Sequence, residues 1–166
     1  MNRRAFIIGS LGVILSGLIP RFLSAGAFAA DAPKGFRIEK IRKSAKEWKA
    51  LLTREQYRVL REEDTERPYS SPLLNIKEKG VYACAACDLP LFTSEMKYDS
   101  GTGWPSFFAS IEGRLETRFD YKLIFRRTEY HCARCEGHQG HLFDDGPPPT
   151  HQRWCNNGVA LKFIPS

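Results

Sequence analysis

Cys84-Ala85-Ala86-Cys87 and Cys132-Ala133-Arg134-Cys135 form two C-x2-C knuckles with 44 residues between them, and they constrain this chain more than any other feature. Each pair closes a tight turn that aims both sulfurs at one point, and two such turns supply four thiolates. That donor set suits the tetrahedral preference of zinc. Two disulfides are the competing reading. A disulfide across so short a loop is typically redox-active rather than stabilising, so a structural zinc held by Cys84, Cys87, Cys132 and Cys135 is the expectation. A structural zinc contributes about 10–16 kcal/mol of apparent binding energy, against about 5–15 kcal/mol of net stability for a whole domain. On those magnitudes the metal decides whether the domain folds.

The front of the chain reads differently. Arg3-Arg4 precedes an uncharged stretch from Ala5 to Pro20, and Ala27-Phe28-Ala29 has the pattern of a cleavage site. Residues 1–29 therefore read as a signal peptide, and Asn2-Arg3-Arg4-Ala5-Phe6-Ile7 has the form of a twin-arginine export signal. The alternative is an uncleaved membrane anchor, but 16 residues fall short of the roughly 20 that a spanning helix needs. The expected location is the periplasm, with membrane association only if the signal is kept. Removing the segment, which carries three arginines and no acid, lowers the net charge from +6 to +3. So small an excess gives no electrostatic case for nucleic acid or anionic lipid. A transporter of folded proteins would also let zinc fill its site in the reducing cytoplasm.

Residues 30–43 read as a polar linker and 44–166 as the domain, expected to be a monomer. Ser44-Ala45-Lys46-Glu47 and Thr53-Arg54-Glu55-Gln56 have the form of capping boxes, each followed by apolar residues at helical spacing. Short apolar runs between Gly, Pro, Asp and Asn then predict strands over 80–83, 121–127, 129–131 and 158–163. The class is mainly β with short N-terminal helices.

Cys155 is left over, and an odd thiol in an exported protein needs an explanation. A single cysteine is more often buried and inert. Here Arg153-Trp154-Cys155-Asn156-Asn157 sets a cation and amides beside the sulfur, which predicts a lowered thiol pKa. Upstream, Gly137-His138-Gln139-Gly140-His141 and Asp144-Asp145 crowd titratable groups into a Gly-rich loop. With zinc satisfied by thiolates, the histidines read as acid–base groups.

Taken in order, these segments resemble the type B methionine sulfoxide reductases from about Ser44 to Phe163. The matching motifs are Thr65-Glu66-Arg67-Pro68-Tyr69, Gly80-Val81-Tyr82-Ala83-Cys84, and Ser100-Gly101-Thr102-Gly103-Trp104-Pro105-Ser106-Phe107. The segments 137–147 and 153–157 complete the set. The resemblance implies two antiparallel sheets packed together and pinned by the four-cysteine zinc site. It implies reduction of the R epimer of peptide-bound methionine sulfoxide, with Cys155 as nucleophile. His138, His141 and Asp145 would donate or relay the proton, and Trp104 would receive the substrate methyl group. Arg153 would stabilise the thiolate, and Asn157 would orient it or bound water.

Lowering a thiol pKa from about 8.5 to about 7 raises the thiolate fraction roughly 16-fold at pH 7, and reduced nucleophilicity cancels about 5-fold of that. General acid catalysis supplies about 10²–10⁴-fold, so the histidines should matter more than thiol tuning. Many family members carry a resolving cysteine where this chain has Thr102. The sulfenic acid left on Cys155 is therefore expected to react with an external thiol, from a thioredoxin-like protein or a small molecule. Two other classes compete: a ligand-binding module on the same zinc-pinned fold, and a disulfide oxidoreductase using a C-x2-C pair. A binding cage needs neither Cys155 nor the histidines.

Overall fold

The computed structural model describes residues 38–122 and 126–166; the proposed signal peptide lies outside them. Both capping boxes form. Ser44 N–H donates to Glu47 Oε2 at 2.8 Å while Glu47 N–H donates to Ser44 Oγ at 3.3 Å, which starts α1 (Ala45–Leu51). Thr53 and Gln56 exchange the same pair of bonds, both at 3.1 Å, to start α2 (Arg54–Glu62). Such reciprocal caps satisfy two of the backbone N–H groups that a helix start leaves free. Trp48, Val59 and Leu60 are the buried residues that fix the helices to the core.

Nine strands follow among the described residues: β1 (Gly80–Cys84), β2 (Pro90–Thr93), β3 (Lys97–Tyr98), β4 (Ser106–Phe107), β5 (Leu115–Asp120), β6 (Arg127–Cys132), β7 (His138–Phe143), β8 (Arg153–Asn156) and β9 (Leu161–Pro165). They form two antiparallel sheets, a three-stranded one ordered β2-β1-β9 and a six-stranded one ordered β3-β4-β8-β7-β6-β5. Aromatic side chains fill the space between the sheets. Phe92 of the small sheet stacks on Phe107 of the large one at 4.0 Å between ring centroids. Tyr82 meets Phe107 edge-on, and Tyr130 meets Trp154 edge-on, both at 5.0 Å. Such pairs are each worth about 0.5–1.5 kcal/mol beyond the area they bury. Cys84 ends β1 and Cys132 ends β6, so the four-cysteine cluster joins one sheet to the other.

The strand expected over 121–127 does not run through. Asp120 Oδ1 accepts a bond from Lys122 N–H at 2.8 Å, a side-chain turn that ends β5, and β6 resumes at Arg127. Residues 123–125 of that expectation lie outside the described residues. The strand expected over 158–163 begins later, because Gly158–Ala160 forms a 3-10 turn whose Gly158 and Val159 N–H groups are held by the Glu66 carboxylate. The Gly-rich loop expected at 137–147 is largely β7. Gly140 serves a close strand contact there: a Cβ on it would lie 1.9 Å from the Cys155 carbonyl oxygen.

Candidate active site

Side chains on a strand alternate between faces, so the core residues Trp154 and Asn156 leave Arg153 and Cys155 on the outer face of β8. Register extends that face into a row. Ser106 stands opposite Cys155, Cys155 opposite His141, His141 opposite Glu129, and Glu129 opposite Arg118. The nucleophile candidate and an imidazole are therefore cross-strand neighbours on rigid elements.

Cys155 is half-buried. Burial pushes its thiol pKa up, and this outweighs the opposing pull of Arg153 and of hydrogen bonds from Thr102, Arg153 and Ser106. The lowered pKa expected from the neighbouring cation is thus corrected: desolvation of the sulfur exceeds the attraction of the guanidinium. Arg153 itself is held by Asp145 through two bonds, Nε to Oδ1 at 2.7 Å and Nη2 to Oδ2 at 2.9 Å. Its guanidinium lies 4.1 Å from the centroid of the Phe143 ring. The same pairing holds the Asp145 carboxyl below its usual range, so Asp145 is an anion that fixes Arg153.

A bulge in β7 brings both histidines to one side. Tyr130 pairs with Gly140 but His131 pairs with His138, which leaves Gln139 as the extra residue. His138 and His141 then lie on the same face, 5.5 Å apart between ring centroids. His138 is fully buried; its Nδ1 is 2.8 Å from Glu129 Oε1, and its Nε2 has no partner among the described residues. His141 Nε2 is 2.8 Å from Asp120 Oδ2, which Arg127 also contacts at 2.5 Å. Burial lowers the His141 pKa, against the opposing bond to Asp120. Burial pushes Glu129 and Asp120 up, but their hydrogen bonds and nearby cations more than reverse this, so both are carboxylates.

A small cavity of about 120 Å³ opens on Cys155, with Trp104, His141, Phe143 and Asn157 among its walls. A second cavity adjoins it, shares Thr65, Arg127 and His141, and reaches His138. Trp104 is half-buried, and its indole N–H donates to Glu66 O at 3.1 Å, which presents the ring as a wall. Gly103 holds this loop with φ of +91° against Pro68 and Tyr69, a backbone that favours glycine. Asn157 is committed elsewhere: its Oδ1 accepts from Glu66 N–H at 3.1 Å and its Nδ2 donates to Gln139 O at 3.0 Å. It staples the segment around Glu66 to β7 beside the sulfur. Of the residues singled out from sequence, Cys155, His141, Trp104 and Asn157 line one cavity, His138 lines the next, and Asp145 with Arg153 forms a support. Glu129, Asp120 and Ser106 were missed. The alternation of Arg127, Glu129 and His131 against Thr128, Tyr130 and Cys132 was the available signal.

The four remaining cysteine sulfurs lie within 4.8 Å of one another, with Cys84–Cys135 at 3.6 Å and Cys87–Cys132 at 3.5 Å. A tetrahedron built on Zn–S bonds of about 2.3 Å has sulfur–sulfur edges of about 3.8 Å, whereas a disulfide needs about 2.05 Å. The donor set and its spacing fit one tetrahedral metal. Asp88 and Glu136, the residues after each knuckle, adopt matching left-handed conformations with φ of 61° and 58°. Their N–H groups return to the first cysteine carbonyl of each turn, at 2.9 and 2.8 Å.

The SelR domain family matches residues 52–165, a span that holds the four-cysteine cluster, both histidines of β7 and Cys155. The relatives are consistent with one another. The chain is 50% identical over 127 residues to peptide methionine sulfoxide reductase MsrB of Hahella chejuensis, covering 76% of this chain and 91% of that one. It is 52% identical over 125 residues to the MsrB of Methanosarcina mazei, covering 75% and 89%. It is 44% identical over 155 residues to peptide methionine sulfoxide reductase B1, chloroplastic, of Arabidopsis thaliana, covering 87% and 77%. The chain belongs to the type B peptide methionine sulfoxide reductase family.

Proposed function

We propose that this chain, an oxidoreductase of the type B methionine sulfoxide reductase family, reduces the R epimer of peptide-bound methionine sulfoxide with Cys155 as nucleophile. The observation that carries the reading is the placement of Cys155 in one small cavity with Trp104 and His141. The Cys155 thiolate attacks the sulfoxide sulfur, the sulfur–oxygen bond breaks, and the oxygen passes to Cys155 as it takes up a proton. Methionine leaves and Cys155 becomes a sulfenic acid, oxidised by two electrons. His141, opposite Cys155 in register, delivers the proton, and His138 relays it from the adjoining cavity. Trp104 receives the methyl group. Arg153, fixed by Asp145, attracts the thiolate once the substrate approaches.

An external thiol then condenses with the sulfenic acid, releasing water, and a second thiol releases Cys155 and a disulfide. The hydroxyl of Thr102, bonded to Ser100 Oγ at 2.8 Å, stands where a resolving sulfur would be needed. Cys84, Cys87, Cys132 and Cys135 hold a structural zinc that locks the two sheets and takes no part in the chemistry. The protein acts in the periplasm, a reading supported by Arg3-Arg4 and the uncharged stretch after them, and it acts as a monomer. The test is turnover of the separated R and S epimers of a methionine sulfoxide peptide with dithiothreitol. The R epimer should be consumed and the S epimer spared. Cys155→Ser should abolish turnover while keeping one zinc per chain, and retained turnover in it would overturn the assignment.

A further inference from the structure

Gln139 is fully buried, yet its side chain serves neither the aromatic core nor the cavity over Cys155. As the extra residue of the β7 bulge it has no ladder partner on β6, and its amide reaches two different places. Its Nε2 donates to Cys84 Sγ at 3.4 Å. Its Oε1 accepts from Asn156 Nδ2 at 3.4 Å. Its backbone carbonyl accepts from Asn157 N–H at 2.8 Å and from Asn157 Nδ2 at 3.0 Å.

Asn156 follows the nucleophile directly and is equally constrained. Its Oδ1 accepts from Tyr130 Oη at 2.9 Å, and its backbone N–H donates to Pro105 O at 2.9 Å, in the loop that carries Trp104. One amide therefore spans from a thiolate of the four-cysteine cluster to the residue that seats Cys155. A buried amide that gains both of its bonds is well satisfied, and one that loses either is left with an unpaired polar atom.

We infer that Gln139 is a positioning residue that ties the four-thiolate centre to the nucleophile strand, so that the geometry at Cys155 depends on an intact metal site through this side chain. The inference rests on the zinc and Cys155 readings above. An N–H···S bond withdraws electron density from a metal-bound thiolate, and partners of this kind orient ligands; their loss typically costs 10–100-fold in metal affinity or activity. The Oε1 bond to Asn156 carries the constraint onward, and loss of one such hydrogen bond amounts to roughly 5-fold in rate if it acts in the transition state.

Two variants test the bridge, one that breaks it and one that can keep it. Gln139→Met keeps the length of the side chain and removes both bonds. It should lower zinc affinity about 10–100-fold in competition with a chelator. In the cobalt-substituted protein the thiolate-to-metal charge-transfer band should move to longer wavelength, because the Cys84 lone pair is no longer stabilised. With saturating zinc, kcat for the R epimer should fall roughly 5-fold at unchanged KM. Gln139→Glu, buried against the negative sulfurs, is held as the neutral acid, so its O–H can donate to Cys84 and its carbonyl accept from Asn156. It should keep zinc affinity and kcat closer to the wild type than Gln139→Met does. An unmoved cobalt band in Gln139→Met overturns the bond to sulfur. Equal kcat in the wild type and Gln139→Met, or equal losses in the two variants, overturns the coupling to Cys155. Failure of the underlying readings appears separately, as a wild type that binds no zinc or a Cys155→Ser variant that still turns over.

Discussion

Thr102→Cys asks whether the loop before Trp104 approaches the nucleophile in solution as it does in the structure. Ser106 stands opposite Cys155 in register, and Ser100 Oγ joins the hydroxyls of Thr102 and Ser106 at 2.8 and 2.7 Å. A sulfur at position 102 would therefore start close to the sulfenic acid proposed for Cys155. The disulfide would close a loop of 54 residues from 102 to 155. In the chain-entropy treatment a loop of that length is worth about 4 kcal/mol at 25 °C, before any strain is subtracted. Unfolding entropy near 2.1 cal/mol/K per residue then converts 4 kcal/mol into a Tm gain of roughly 15 °C for a domain this size. The assay is mass spectrometry after a single turnover without reductant, followed by melting of the oxidised and reduced forms. A 102–155 bridge in the variant, and a dimedone-reactive sulfenic acid at Cys155 in the wild type, are expected. A stable sulfenic acid in the variant, with no bridge and no rise in Tm, would refute the proximity. A disulfide already present in oxidised wild type would mean that a presumed zinc ligand is the resolving thiol.

The pH dependence of the resting thiol follows from its burial. Because the Cys155 pKa is raised, iodoacetamide alkylation should keep climbing through pH 9, and a plateau near pH 7 would show that Arg153 outweighs desolvation after all. Cys132→Ser should lose zinc and unfold, since one ligand is worth a large part of the domain's stability, and a folded metal-free variant by circular dichroism would end the structural-zinc reading. Glu129 carries a lowered pKa, so its contribution to stability is complete above the ordinary carboxyl range and is lost as pH falls below about 4. Glu129→Gln should flatten that acid limb in melts taken between pH 3 and 6. Replacing Arg3 and Arg4 by lysines should strand the precursor in the cytoplasm, which fractionation measures directly; normal periplasmic accumulation would indicate a different export route.

The parts of the fold that local chemistry dictates were legible in the sequence. Ser44 with Glu47 and Thr53 with Gln56 announce their helices because a capping box is complete within four residues. The two knuckles announce a metal site because ligand spacing is likewise local. The parts decided by distant partners were not. Residues 137–147 look like a loop for their glycines, yet Gly140 serves the contact with the Cys155 carbonyl on a neighbouring strand. The thiol pKa was read from the cation and amides beside Cys155 in sequence, while the burial that reverses it comes from packing across the sheet. Asp145 reads in the sequence as a residue that donates or relays a proton; its bidentate bond to Arg153 depends on β8 and has no local signal. Only the pairing of β6 with β7 places Glu129 on His138.

The row from Ser106 through Cys155, His141 and Glu129 to Arg118 crosses five neighbouring strands, so the ladder of the sheet sets its spacing. Adjacent strands lie about 4.8 Å apart whatever side chains they carry. The interval between the Cys155 and His141 backbones is accordingly a property of the sheet. Thr65 and Trp104, which lie outside the strands, form the adjustable margin around this line. An engineer seeking a new sulfoxide substrate therefore has a built-in division of labour: the shape of the cavity is set by Thr65 and Trp104, while the strands that carry Cys155 and His141 hold their places as long as the sheet stands.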